Sequence, residues 1–144
     1  MVSSVKVKVD TGADYVVLDW NVAVSLGLSS ATFGRQAASG AAGHAFPLLF
    51  AAPGQIALFV TDFREYCYLP RPLVGFHSPS TPQQAQRSVV GLTGFLEYFR
   101  FILNQATYPP TFELSPIPGQ GVQAGILPRD RPLTDFIQQL RAAP

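Results

Sequence analysis

The segment Val5-Lys6-Val7-Lys8-Val9-Asp10-Thr11-Gly12-Ala13-Asp14 constrains the fold more than any other part of the chain. Valines alternate with lysines, and a strand has a side-chain period of two, so one face carries branched apolar groups and the other carries charge. That is the pattern of a strand with one face on a core and one in water. It stops at a loop in which two carboxylates flank Thr-Gly-Ala. Such a loop reads two ways. Asp and Gly can simply close a strand with a polar turn, or a rigid element can be holding a carboxylate out for chemistry.

The chain has 144 residues, 47% of them apolar, which suits one domain around one core. Charged residues make up only 13%, about half the usual share. With a net charge of +1 and no basic run, nothing suggests a nucleic-acid partner. Low charge together with 12 Gly and 13 Pro points to strands and loops rather than helices. The single cysteine, Cys67, excludes an internal disulfide and a cysteine-based zinc site, and a reducing compartment is the default. No apolar run reaches the roughly 18 residues of a membrane span, and the first ten residues lack the apolar core of a signal peptide. A cytoplasmic location with no membrane partner is therefore expected.

Further along, Tyr15-Val16-Val17-Leu18 reads as a short buried strand. The run from Asp19 to Leu28 reads as a short helix with Asp19 as N-cap and Gly27 as its stop. Ser39-Gly40-Ala41-Ala42-Gly43, between two extended segments, predicts a hairpin with a mobile tip. Residues 51–54 are a turn, and strands follow over 55–60, 64–69 and 72–76. Residues 77–88 form a polar surface loop. Val89-Val90-Gly91 ends a buried strand, 93–99 suits a short helix, 100–104 and 111–116 are a strand and its return, and 133–143 is an amphipathic helix with Thr134 or Asp135 near its start. The expected division is a domain over 1–118 and a Gly- and Pro-rich tail with a short helix over 119–144.

Three features in order resemble the retropepsin-like aspartic protease family, including its bacterial single-domain members. They are the strand running into Asp10-Thr11-Gly12-Ala13 with a helix ending Leu26-Gly27-Leu28, the glycine-bearing segment 38–46, and Val89-Val90-Gly91 leading into Phe95-Leu96-Glu97-Tyr98. The resemblance covers about residues 5 to 115. It implies a mainly β fold, a half-barrel of closed, barrel-like sheet with a flap hairpin and one or two short helices. It also implies aspartic endopeptidase activity on polypeptide substrates, with no cofactor and no metal. Asp10 would be the catalytic carboxylate, with Thr11 and Gly12 supporting its loop. Ala13, Asp14 and the flap residues Gly40, Ala41, Ala42 and Gly43 would contact substrate. The chain carries one Asp-Thr-Gly, since residues 92–94 are Leu-Thr-Gly, so an enzyme would be a homodimer pairing two copies of Asp10.

Two departures accompany the resemblance. Leu92 stands where family members often have Arg or Asn, and only nine residues precede Asp10, so the family's additional N-terminal strand is expected to be missing. These departures favour an alternative, a non-catalytic module of the same fold used for peptide binding or dimerisation. Elsewhere the simpler roles suffice. His44 and His77 lack metal-ligand spacing. Cys67, among Tyr66, Tyr68 and Leu69, reads as a small buried hydrophobe. Ser39 lacks the Gly-x-Ser-x-Gly frame of a nucleophile elbow.

Overall fold

The computed structural model describes residues 1–39 and 45–143. The fold is mainly β. The strands are β1 (Lys8–Val9), β2 (Val16–Leu18), β3 (Gly34–Ser39), β4 (Ala45–Phe50), β5 (Leu58–Thr61), β6 (Glu65–Leu69), β7 (Val74–His77), β8 (Val89–Val90), β9 (Phe99–Asn104), β10 (Thr111–Pro116) and β11 (Gln123–Ile126); the helices are α1 (Trp20–Ser25) and α2 (Leu133–Ala142).

Six strands form the main sheet in the order β1-β8-β2-β7-β4-β3. β8 lies between β1 and β2, parallel to the first and antiparallel to the second. The chain from Lys8 to Leu18 is thus a wide hairpin holding β8 between its arms. β2 also runs parallel to β7, so it is flanked on both sides, and its Val16 and Leu18 are buried. They pack with Ala23 of α1, Leu49, Val74, Phe76, Val90, Phe95 and Phe99 in one core. β9 pairs only with β10, and β11-β6-β5 makes a third sheet. The expected closed, barrel-like sheet is not what forms: among the described residues there are three separate sheets, and none closes into a barrel. The main sheet's outer strands, β1 and β3, pair with β8 and β4 and not with each other.

α1 begins and ends where local chemistry dictates. Asp19 Oδ1 accepts the Asn21 N–H at 2.8 Å, satisfying one of the free donors of the first turn. At the far end Gly27 adopts φ +71°, the Gly27 N–H donates to the Val24 carbonyl, and the Leu28 N–H donates to the Ala23 carbonyl. Those two bonds and the left-handed glycine are the Schellman arrangement. Loop 78–88 is anchored to the start of this helix. Its Gln86 accepts the Trp20 N–H at 2.9 Å and donates to the Thr81 carbonyl at 2.8 Å, while Gln83 donates to Asp19 Oδ2 at 2.8 Å.

Two expected elements differ. The helix expected over 93–99 is a single 3₁₀ turn, Leu96–Tyr98. Gly94 sits at φ +98° and Phe95 at ψ −72° with φ −141°, so the preceding backbone is not helical. β11 lies in the stretch read as a Gly- and Pro-rich tail, yet Gln123–Ile126 pairs along β6. α2 then docks on that sheet through buried Phe136, whose ring meets Tyr66 edge-on at 5.0 Å and Phe59 at 6.3 Å. Thr134 and Asp135 lie in the first turn of α2 as expected, but the capping residue is Pro132, with no side-chain cap.

Candidate functional site

β1 delivers Asp10 to the end of the main sheet. The Asp10 N–H continues the ladder onto the Val90 carbonyl at 3.0 Å, so its backbone is fixed by β8. The chain then turns: the Ala13 N–H donates to the Asp10 carbonyl at 3.1 Å, and the Gly12 N–H donates to Asp10 Oδ1 at 2.9 Å. An Asp side chain bonding the backbone two residues on is the Asx geometry that makes Asp a turn former. Here it also orients the carboxylate. Oδ1 is held by an N–H dipole, and Oδ2 has no hydrogen bond to any described residue.

The loop is clamped from the other side. The Leu92 N–H donates to the Ala13 carbonyl at 2.9 Å, the Thr93 N–H to the Asp14 carbonyl at 2.8 Å, and the Val16 N–H to the Thr93 carbonyl at 3.2 Å. Tyr15 and Thr93 form a parallel bridge. Gly91 makes the approach feasible, because a β-carbon there would stand 2.4 Å from the Ala13 carbonyl oxygen and 2.6 Å from that of Tyr15. Past the clamp, Glu97 Oε1 accepts the Gly94 N–H at 2.9 Å and fixes the turn that Leu96 begins. Gly94 itself meets the Leu73 carbonyl so closely that a β-carbon would lie 2.1 Å from it.

The structure therefore brings Asp10, Gly12 and Ala13 together with Val90, Gly91 and Leu92. Asp10 and Ala13 are half-buried, while Thr11, Gly12 and Asp14 are exposed. Neither the Thr11 hydroxyl nor the Asp14 carboxylate bonds another described residue. The bracing expected of Thr11 comes instead from the Gly12 and Ala13 N–H groups. Gly40, Ala41, Ala42 and Gly43, expected to form the flap tip, lie outside the described residues, as does His44; the antiparallel strands β3 and β4 flank them. Gly91, Gly94 and Glu97 are the residues that sequence reasoning left without a role. A signal for Glu97 existed, because an acid three residues after a turn residue has capping-box spacing.

A half-buried carboxylate with one oxygen held and one free can accept a proton from water or a hydroxyl. His77 is not part of this site. It is buried at the end of β7, with Nε2 donating to the Arg87 carbonyl at 3.2 Å. Among the described residues no group of three or more His, Cys, Asp or Glu side chains could hold a metal ion, and no helix is long and apolar enough to cross a membrane. Comparison with protein-family models, with curated proteins and with solved structures gives no match.

Proposed function

We propose that the chain is an aspartic endopeptidase of the retropepsin-like type, its main sheet being an open form of that family's half-barrel, and that it acts as a homodimer in which two Asp10 carboxylates face one another. What supports this most is the Asp10 loop: a carboxylate at a strand end, one oxygen held by Gly12, on a loop clamped along Val90-Gly91-Leu92. Two of the three stretches that carry the family resemblance in sequence, the Asp10 loop and Val89-Val90-Gly91, are thereby neighbours in space.

The chemistry then follows from the pair. Two carboxylates in contact cannot both ionise, so they share one proton. The ionised member takes a proton from the attacking water while the protonated member donates to the carbonyl oxygen of the peptide. The tetrahedral intermediate collapses with proton transfer to the leaving amine. Ala13 and Asp14 would contact the substrate backbone, and Gly40, Ala41, Ala42 and Gly43 would close over it. Peptide hydrolysis by the purified protein, compared with Asp10→Asn, is the test. The variant should fold normally and lose activity by at least about a hundredfold; unchanged cleavage would overturn the proposal.

One observation also suits a non-catalytic peptide-binding or dimerisation module of the same fold, namely that each chain supplies a single Asp-Thr-Gly. That module would bind peptide without turning it over, and Asp10→Asn would leave its binding intact.

A further inference from the structure

At the end of β2 away from the Asp10 loop, α1, the β5 approach and α2 surround a cleft of about 460 Å³. None of its walls comes from residues 10–14 or 89–99. Its volume lies within the range of small-molecule sites, roughly 300–1,000 Å³. The walls are mostly branched aliphatic: Leu18, Val22, Leu26, Ile56, Leu58 and Ile137. Tyr68 is the only aromatic side chain among the described residues that line it, so an aromatic ligand would find little to stack on.

Tyr68 and Arg141 are two of the polar side chains in this lining. Tyr68 is 3% exposed, and its hydroxyl makes no hydrogen bond with any described residue. Among the described residues Arg141 contributes the only charged side chain of the lining. Its Nη2 donates to the Gly54 and Gln55 carbonyls at 3.1 and 2.8 Å, which fixes the guanidinium at the rim. Nε and Nη1 keep their donors, with no partner among the described residues. An aliphatic cleft with a fixed cation at its rim, which has no carboxylate partner among the described residues, is complementary to an amphipathic anion.

We propose that this cleft binds a medium-chain aliphatic monocarboxylate, the chain lying among Leu18, Val22, Leu26 and Ile137 and the carboxylate meeting Arg141. Tyr68 supplies a second donor inside the cleft. Charge-assisted bonds of this kind are about twice as strong as neutral ones, so the head group sets the preference and the chain supplies the affinity.

Calorimetric titration of the full chain with dodecanoate and with dodecanol, both below their solubility limits, tests this. Saturable one-to-one binding of dodecanoate is expected, with dodecanol at least tenfold weaker. Arg141→Gln should abolish that preference. Because Arg141 also ties α2 to the turn at Gly54, a second variant is needed that leaves those bonds alone. Gln138→Glu places an anion in the lining and should weaken dodecanoate severalfold without affecting dodecanol, while thermal unfolding confirms that both variants fold. Tyr68→Phe should cost dodecanoate a smaller factor. Absence of saturable dodecanoate binding, or equal affinity for acid and alcohol, would overturn the proposal. So would a preference that survives in both charge variants. Asp10→Asn should bind dodecanoate like the parent chain, which keeps this outcome separate from that of the peptidase test.

Discussion

Gly91 packs against Ala13 so closely that only a hydrogen fits between them: a β-carbon at position 91 would lie 2.4 Å from the Ala13 carbonyl oxygen. Both neighbours are backbone, each fixed by hydrogen bonds, so neither can move aside as a side chain could. Gly91→Ala should therefore destabilise the fold by about 2–3 kcal/mol through overpacking. Urea unfolding measures it. A loss under about 0.5 kcal/mol, the size of an ordinary surface change, would show that the loop is not clamped this way.

Gly12 has a different neighbour. A β-carbon there would sit 3.3 Å from Asp10 Oδ1, the end of a side chain that can shift by a few tenths of an ångström. Gly12→Ala should cost little stability, under about 1 kcal/mol, because the strain can be relieved by rotating the carboxylate. That same rotation moves the group proposed to perform the chemistry. Turnover should fall well beyond what the stability loss explains, and the contrast between melting temperature and kcat is the readout. Equal losses in Gly12→Ala and in an exposed control away from the site such as Glu113→Ala would argue that the carboxylate orientation is unimportant.

Part of this architecture was legible in the chain and part was not. Asp19 and Gly27 could be read because capping is settled by atoms within one turn. The alternation at Val5, Val7 and Val9 correctly identified the half-buried face, yet only Lys8–Val9 pairs. The length of that ladder is set by β8, just Val89–Val90, and a partner's length is not written in the strand itself. β11 is not legible in the chain because Gln-Ala-Gly-Ile is a poor strand former by composition, and its pairing comes from β6, far away in sequence. At the site the same division holds. The Asp10–Gly12 turn is local and predictable, whereas the clamp on Ala13 and Asp14 arises only when β8 enters between β1 and β2.

Acid should weaken the fold through His77. Burial pushes its pKa below the ordinary 6.5, against the opposing influence of the Arg87 carbonyl and of Asp19. Nε2 must carry the neutral ring's proton, since Arg87 offers only an acceptor there, and the buried Nδ1 has no partner to receive a second proton's bond. As pH falls through 6.5 the unfolded chain takes up a proton that the native state refuses. The unfolded state then binds more protons, so stability is full above that value and declines below it until the native imidazole also titrates. Urea midpoints should drop between pH 7 and 5.5, and His77→Gln, which does not titrate, should flatten that slope. Identical slopes in both proteins would assign the effect to another group.

Cys67 should react slowly. Burial, and then the charge of Glu65, raise its pKa above the ordinary thiol value, which leaves less thiolate at neutral pH. Alkylation by iodoacetamide at pH 7 should lag well behind a free thiol and accelerate when urea unfolds the chain. Native-state labelling as fast as that of free cysteine would contradict the packed position of Cys67 on β6.

The last prediction concerns assembly. With a single Asp-Thr-Gly per chain, the proposed chemistry belongs to a pair of chains, so activity should depend on concentration in a way that no single-chain site would. Specific activity should stay constant above the dimer dissociation constant and fall in proportion to concentration well below it. Asp10→Asn added to wild type should poison the activity, because a mixed dimer has only one carboxylate able to ionise; at equal amounts with random exchange, about a quarter of the dimers keep both acids. The active pair should also give a bell-shaped pH profile whose limbs belong to the pair rather than to either Asp10. Parallel sedimentation and activity measurements over a dilution series, repeated with the variant mixed in, test these together. A chain that sediments as a monomer and keeps full specific activity at every dilution would exclude the paired-carboxylate mechanism, whatever Asp10→Asn does on its own.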